Sequence, residues 1–451
     1  MGPLAKPPGI GAEDMPAKAG ESWLMRCMGR GKEQSRVGRD PSGQRHQRWL
    51  LRGHRGFLGL LSLGLLASGV VAPVAAAAAE PPAKAVGRPP AAWRFDLPPG
   101  FPAPRVPAAN PISAEKVALG RALFFDRRLS GTGNFACASC HQPALAFTDG
   151  RARAVGATGQ QHPRSAMSLA NVAYNVTLTW AHPGLVALED QALVPMMNQA
   201  PIELGIRGHE QEVLARLAAV PGYRRRFAAA FPSEPDMPSM RAITRALASF
   251  ERTLISGTSP YDRYVYRDQR DALSEAAVRG KDLFFSPRLG CSGCHAGFTF
   301  SGPVQWAGSR DRPPVFHNTG LYNLRDAGGR RGAYPADNPG LIAHTGRIKD
   351  MGKFRAPTLR NIAVTAPYMH DGSVATLGAV IDHYARGGRA RSKRTSKRLH
   401  RFVLSAGQKQ DLIAFLESLT DEAFLHDPRF ADPWPGAAQA HTVAQAAGQS
   451  R

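Results

Sequence analysis

The chain has 451 residues, of which 43% are hydrophobic, and a formal net charge of +22 at pH 7. This length allows about three domains. With 5 cysteines in all, the chain cannot hold the dense disulfide framework of a small secreted scaffold. The excess of positive charge indicates either an acidic partner or a solvated basic surface.

Residues 1–79 are typical of a leader that contains a secretory signal peptide. Arginines precede an apolar stretch over residues 57–71, and Ala77–Ala79 matches the small-residue pattern of a cleavage site. The apolar stretch is too short to span a membrane comfortably. We therefore expect a periplasmic mature chain that begins near Glu80, lacks Cys27 and has no stable membrane insertion.

The remaining cysteines lie in two C-x-x-C-H runs, Cys137–His141 and Cys291–His295. Two thiols at this spacing can each add to one vinyl group of a porphyrin, and the adjacent imidazole then reaches the iron. The runs predict two covalently bound haem c groups, with His141 and His295 as proximal iron ligands. A zinc half-site would need further Cys or His pairs, and a redox C-x-x-C would not need the histidine. The predicted attachment residues are Cys137, Cys140, Cys291 and Cys294.

A Gly-x-x-Leu-Phe-Phe segment precedes each run, at Gly120–Phe125 and again at Gly280–Phe285. One helix-then-haem unit has been used twice, which predicts a mainly α fold with two tandem cytochrome c-like haem domains, long loops and very little strand. The expected parts are a leader (1–79), an extended N-terminal arm (80–112), a first haem domain (113–270), a second haem domain (271–425) and a poorly ordered tail (426–451). Ser113 is the expected N-cap of a helix over residues 114–125. Apolar spacing predicts further helices over residues 211–219, 223–230, 241–256, 274–285, 374–384 and 405–419.

Residues 354–372, FRAPTLRNIAVTAPYMHDG, together with the two C-x-x-C-H runs, resemble the bacterial di-haem cytochrome c peroxidase and MauG superfamily. The resemblance extends from about Ser113 to Leu419. A finer pattern over residues 162–180 and 427–434 is most similar to the MbnH branch. Those enzymes are associated with a secreted copper-binding partner, MbnP, on which a tryptophan is oxidised to kynurenine.

The resemblance also implies roles for individual residues. It places Gln191, Pro195 and Glu203 on the open face of the first haem, with Glu203 as the general acid and base, and it places Trp180 between the two haems. Tyr384 stands where conventional peroxidases have an axial methionine and MauG-type enzymes have a tyrosine. The alternatives are a surface helix cap for Glu203, a core residue for Trp180, and His383, Met369 or Met351 as the second axial ligand.

Two further features of the superfamily are altered in this chain. Ser165 replaces the asparagine that helps to hold an inter-haem calcium ion, so Ser165, Thr365 and Pro367 are the implied calcium ligands. A loop histidine that caps the first haem in conventional peroxidases is not evident, since His162 stands at an unsuitable position. We therefore expect an open first site that needs no reductive activation.

The leading hypothesis is an exported MauG/MbnH-type oxidoreductase that uses hydrogen peroxide to form a high-valent di-haem state and oxidises a side chain, with tryptophan expected, of an MbnP-like partner protein. One alternative is a peroxidase that takes electrons from a small cytochrome or cupredoxin, and another is a non-catalytic di-haem electron carrier. The basic run over residues 386–401 either steers an acidic protein or is a solvated loop. Nucleic acid is not an expected partner of an exported haem protein.

Overall fold

The computed structural model describes residues 93–234, 237–322, 334–390 and 392–434. The predicted leader with Cys27, residues 80–92 of the arm and the tail beyond residue 434 lie outside these ranges. Within these ranges the regular secondary structure consists of helices. The β-type pairing found there is limited to isolated bridges, such as that between Tyr368 and Val374. No helix in the described ranges combines the length and apolarity needed to cross a membrane.

The α-helices of the described residues are α1 (Ala114–Phe125), α2 (Leu188–Met197), α3 (Glu210–Ala218), α4 (Tyr223–Ala230), α5 (Met240–Glu251), α6 (Pro260–Tyr266), α7 (Glu275–Phe285), α8 (Ile342–Thr345), α9 (Leu377–Ala385), α10 (Ala406–Glu417) and α11 (Glu422–Leu425). Single 3₁₀ turns span Cys137–Ser139, Pro143–Leu145, Val172–Tyr174, Arg270–Ala272, Cys291–Gly293, Ile348–Asp350, Ile362–Val364 and Pro428–Phe430.

Two predicted helices differ from the observed ones by three or more residues at an end. The helix predicted over 241–256 stops at Glu251, where the chain turns and Arg252 forms a bidentate ion pair with Glu189 (2.8 Å). The helix predicted from residue 374 begins at Leu377, because the Thr376 hydroxyl accepts a hydrogen bond from the backbone N–H of Ala379 and caps it.

The repeated glycines explain how each haem unit is built. A Cβ atom on Gly120 of α1 would lie 2.0 Å from the carbonyl oxygen of Ala246 in α5. The same atom on Gly280 of α7 would lie 1.8 Å from the carbonyl oxygen of Asp411 in α10. Each glycine therefore lets two helix backbones touch, a contact that any larger residue would prevent.

The aromatic residues that follow these glycines repeat the same packing. Phe124 packs against Phe250 with ring centroids 5.3 Å apart, and Phe284 packs against Phe415 at 5.1 Å. We call the two apolar clusters the first core, around Phe124 and Phe250, and the second core, around Phe284 and Phe415. The C-x-x-C-H runs are thus attached to equivalent helix pairs.

Replacing Gly280 by alanine should lower the free energy of unfolding by about 1–3 kcal/mol, because α7 and α10 must separate to admit the methyl group. Gly378→Ala is a matched control, since a Cβ atom there would lie 3.4 Å from the flexible Lys409 side chain. Denaturant unfolding of both variants tests the contact, and equal stabilities would contradict it.

The chain end packs differently from the prediction. Residues 427–434 are not a poorly ordered tail, because Phe430 is buried in the first core beside Phe424. The indole Nε1 of Trp434 donates to the carbonyl of Ala122 in α1 (3.0 Å), and the Arg128 guanidinium stacks on the indole ring. Trp434 thus contacts residues that lie more than 300 positions earlier in the chain, which local sequence patterns do not reveal.

Residues 256–262 connect the two cores and are held by a buried polar network. The Asp421 carboxylate accepts hydrogen bonds from Ser256, Gly257 and Thr258. Asp262 forms a bidentate ion pair with Arg360 at 2.7 and 2.8 Å, and both side chains are buried. Because both side chains are buried, loss of either one would leave the other charge without compensation and away from water.

The N-terminal arm packs against residues of both haem domains. As predicted, residues 93–111 form neither helix nor strand. Phe101 is buried, with its ring 6.1 Å from Tyr174 and 4.9 Å from Phe298. The arm is therefore packed along its described length rather than projecting freely.

Candidate haem sites

The first C-x-x-C-H run forms a 3₁₀ turn over Cys137–Ser139 that places both thiols and the histidine on one side. The backbone N–H of His141 donates to the carbonyl of Cys137 (3.0 Å). The Nδ1 atom of His141 lies 2.7 Å from the Phe147 carbonyl, which can only accept, so Nδ1 carries the proton. This arrangement leaves Nε2 as the ligand atom and fixes the ring orientation.

The second run repeats this geometry. Its 3₁₀ turn spans Cys291–Gly293, and the N–H of His295 donates to the carbonyl of Cys291 (3.0 Å). The Nδ1 atom of His295 lies 3.1 Å from the carbonyls of both Phe300 and Pro357. Burial lowers the pKa of both histidines, which favours the neutral form that binds metals.

A cavity of about 480 Å³ adjoins the first run and contains the predicted open-face residues. Helix α2 carries Gln191 and Pro195, and Glu203 lies in the loop that follows it. The Pro195 carbonyl accepts from the N–H of Leu204 (2.8 Å), which holds this loop against the helix. The structure therefore brings Gln191, Pro195 and Glu203 to the same cavity as Cys137, Cys140 and His141.

The Glu203 carboxyl group is suited to proton transfer. Burial raises its pKa to about 7. No described residue donates a hydrogen bond to this carboxyl group, so a molecule in the cavity could reach it. An acid whose pKa lies near neutral can both give and take a proton under physiological conditions.

A second cavity, of about 200 Å³, is lined by Cys291, Cys294, His295 and Tyr384. Helix α9 presents Tyr384 to this cavity, and burial raises the pKa of the phenol above its ordinary range. The neighbouring His383 instead bonds through Nε2 to the Thr319 carbonyl (2.9 Å). The predicted axial ligand, Tyr384, and one of its three alternatives, Met369, line the cavity. The other two alternatives, His383 and Met351, do not.

Trp180 and Arg355 line both cavities and form a shared wall between them. The indole Nε1 of Trp180 donates to the carbonyl of Ser165 (3.0 Å), and the Trp180 carbonyl accepts from the N–H of Arg355 (3.0 Å). The position of Trp180 agrees with a residue between two haems, and it also packs as a partly buried core residue would.

Arg355 is a site residue that the sequence analysis did not single out, although it lies in the FRAPTLRN stretch. Its Nε donates to the carbonyl of Thr179 (2.8 Å), and no described carboxylate pairs with it. Burial lowers the pKa of the guanidinium to about 10, so it remains charged at neutral pH. A partly buried cation between the cavities suits haem propionates. Each cavity also has two thiols and one imidazole, so the donor groups fit two haem c molecules.

Glu251 was also missed. It ends α5, lines the first cavity, and has a buried Oε2 atom without a hydrogen-bond partner among the described residues. Burial raises its pKa to about 8. One sequence feature could have revealed it. Glu251 follows Leu247 by four residues and so lies on the apolar stripe of this helix, where a charged residue is unusual.

The three predicted calcium ligands, Ser165, Thr365 and Pro367, line one cavity of about 70 Å³ beside the shared wall. Its lining offers hydroxyl and carbonyl oxygens but no carboxylate, and it includes the Arg355 cation. The Ser165 carbonyl already accepts from Trp180. The structure thus brings the three residues together, and calcium remains a prediction.

His162 does line the first cavity, which differs from the expectation that its position is unsuitable. A bridge between Val155 and Gln161 folds this loop over the cavity. The His162 Nδ1 atom accepts from the N–H of Arg164 (3.0 Å), so the proton of the neutral ring is on Nε2.

The chain is similar in sequence to di-haem peroxidases and to MauG proteins. The sequence profile described as di-haem cytochrome c peroxidase matches residues 114–270. The chain is 38% identical over 329 residues to methylamine utilization protein MauG of Methylorubrum extorquens, covering 73% of this chain and 84% of that protein. It is 39% identical over 344 residues to cytochrome-c peroxidase IdrP1 of a Pseudomonas species, covering 73% and 88%.

Among solved structures, a MauG-like protein associated with microbial copper homeostasis is 48% identical, with a TM-score of 0.72 and coverage of 76% of this chain and 100% of that one. The predictions of a mainly α, cytochrome c-like fold, of a haem oxidoreductase and of an MbnH-like relation are confirmed. The family implies two haem cofactors and the use of hydrogen peroxide. The chain belongs to the di-haem cytochrome c peroxidase and MauG family.

Proposed function

We propose that this protein is an exported, periplasmic MauG/MbnH-type enzyme that uses hydrogen peroxide to oxidise a side chain, with tryptophan as the expected target, of a partner protein. The observation that carries the proposal is the shared wall, since Trp180 and Arg355 line both cavities. When bound, the two haems supply the redox chemistry that removes electrons from the partner. Each hydrogen peroxide accepts two electrons and two protons and yields two waters.

Within this proposal Glu203 moves a proton between the two oxygens of hydrogen peroxide. Cleavage of the O–O bond into water requires a second proton on the departing oxygen, and a carboxyl group with a pKa of about 7 can take it from one oxygen and give it to the other. Gln191 and Pro195 shape the same face from α2.

Trp180 provides an oxidisable indole ring in the shared wall. Its hydrogen bond to Ser165 and the backbone bond from Arg355 fix the ring between the two sites. The Arg355 cation offsets negative charge that haem propionates would bring to the wall. These contacts support joint use of the two sites in one oxidation.

The test is electron paramagnetic resonance of the mature, fully ferric holoprotein before and after one equivalent of hydrogen peroxide, without a reductant. We expect both ferric signals to decrease together. A protein that does not react until one haem has been reduced would contradict the proposal and indicate a conventional peroxidase.

Tyr384→Phe should change the absorption and magnetic spectra of the second haem, because the variant loses the phenol oxygen that we propose as its axial ligand. Tyr368→Phe is the matched control, since Tyr368 is buried and lines the same cavity. Its substitution also removes one phenol oxygen and leaves the ring packed in place. Unchanged spectra in Tyr384→Phe would make the assignment of this ligand wrong.

A peroxidase that takes electrons from a small redox protein is the second candidate function. The observation that favours it is His162, which lines the first cavity. Relatives of this chain carry both MauG and cytochrome-c peroxidase names. Under this alternative, His162→Ala would allow the fully ferric protein to react with hydrogen peroxide where the unaltered protein does not.

The similarity to a MauG-like protein associated with copper homeostasis supports an MbnP-like, secreted copper-binding protein as the partner. We also propose that a calcium ion held by Ser165, Thr365 and Pro367 stabilises the region beside the shared wall. Metal analysis of the purified holoprotein checks this proposal, and the absence of stoichiometric calcium would remove it.

A further inference from the structure

Residues 386–401, which we call the basic segment, carry a concentration of positive charge. No aspartate or glutamate occurs from residue 383 through residue 410. The exposed cations of the segment are Arg386, Arg389, Lys393, Lys397, Arg398 and Arg401. None of them forms an ion pair with a described carboxylate, whereas nearby Lys409 pairs with Asp382 at 2.8 Å.

The basic segment is held in place by backbone hydrogen bonds. The N–H of Ala390 donates to the Gly320 carbonyl (2.8 Å), and the N–H of Ser396 donates to the Asn318 carbonyl (2.8 Å). At its end, Phe402 donates to the carbonyl of Ala385 in α9 (3.1 Å). The backbone that carries the cations is therefore attached to the rest of the fold at three points.

The basic segment also borders the second cavity. Arg398, Leu399 and His400 line it together with Cys294. His400 bonds through Nε2 to the carbonyl of Arg288 (2.9 Å), three residues before the second C-x-x-C-H run. A molecule bound to the cations would therefore lie beside the second haem site.

An apolar contact point lies next to these charges. Val403 is 83% exposed, and its carbonyl accepts a hydrogen bond from Arg288 (3.1 Å). An exposed aliphatic side chain among cations is typical of a protein interface, in which charges orient the partner and apolar atoms are buried.

We infer that the basic segment is the docking surface for an acidic protein partner, which it positions beside the second haem site. This inference rests on the proposed function, because it names the class of partner that is oxidised. Cations without internal partners attract a negatively charged surface and accelerate its association. The exposed Val403 favours a protein over a polyphosphate, which has no apolar atoms to cover it.

The test uses the holoprotein with both haems and a synthetic glutamate-rich peptide that carries one tryptophan, whose fluorescence the haems quench on binding. A lysine-rich peptide with one tryptophan is the reference ligand. The docking variant combines Arg386→Gln, Arg389→Gln, Lys393→Gln and Lys397→Gln. The control variant combines Arg127→Gln, Arg225→Gln, Arg241→Gln and Arg267→Gln, all exposed and outside both cavities.

We expect the acidic peptide to bind, the lysine-rich peptide not to bind, and added salt to weaken the complex. The docking variant should bind about tenfold more weakly, while the control variant binds as the unaltered protein does. Equal weakening in both variants would make the effect one of net charge and overturn the inference. Equally tight binding of phosphatidylglycerol vesicles or single-stranded DNA through the same four residues would assign the surface to another class of partner.

The reaction of each variant with hydrogen peroxide separates this inference from the proposed function. Both variants should keep the joint loss of ferric signals, since none of the eight residues lines a cavity. If the unaltered protein shows no such loss, the proposed function fails, and the peptide titration still decides whether the basic segment binds an acidic protein surface.

Discussion

Glu203→Gln should slow the reaction of the holoprotein with hydrogen peroxide by about 10²–10⁴-fold and leave both haems attached. Glutamine keeps the shape of the side chain but cannot carry a proton between the peroxide oxygens. Stopped-flow absorption measures the rate constant with peroxide. Glu275→Gln is the control, because Glu275 is exposed at the start of α7 and lines neither cavity.

The dependence of this rate on pH gives a second readout. Since burial raises the pKa of Glu203 to about 7, the carboxylate that accepts the first proton predominates only above that value. The rate should therefore rise with pH through about 7 and then level off, and the rise should be absent in Glu203→Gln. A variant that keeps the same rate and the same profile would remove the acid and base role.

Asp262→Asn should lower the free energy of unfolding by about 3–5 kcal/mol, the second large effect that we expect. The buried Arg360 guanidinium donates two hydrogen bonds to Asp262 and one to the Phe298 carbonyl (2.7 Å). Asparagine is neutral and offers one acceptor atom, so the variant leaves a buried cation without its counter-charge. Denaturant unfolding of the holoprotein, followed by far-ultraviolet circular dichroism, measures the loss.

Asp382→Asn is the matched control for this prediction. Asp382 pairs with Lys409 at 2.8 Å, but its side chain is 44% exposed. Water screens an exposed pair, so the same substitution there should cost less than about 1 kcal/mol. If the two variants lose similar stability, the Asp262 and Arg360 pair is not the constraint that its burial indicates.

Local patterns predicted much of the fold. The Ser113 cap, the apolar spacing of α1 and the C-x-x-C-H runs each depend on neighbours along the chain, and the structure shows the same helix and turns. The bounds of α4 were predicted at both ends. Helix ends that depend on distant partners differed, as at Glu251, where the ion pair of Arg252 with Glu189 sets the turn.

The candidate sites show the same division. The resemblance named residues that the structure brings to the two cavities, including Glu203, Trp180 and Tyr384. Arg355 and Glu251 were not found, because their importance comes from burial without a described counter-charge or hydrogen-bond partner. Whether a charged side chain has a partner depends on residues that are near it in space, and a single sequence does not show which residues those are.

The position of residues 424–430 in the first core bears on the order of events during folding. Phe424, Leu425 and Phe430 complete a cluster whose other members begin at Leu119. A chain synthesised from its N-terminus cannot finish this cluster until residue 430 has been added. The first core, against which Cys137 packs, should therefore close late, after the second C-x-x-C-H run has been synthesised.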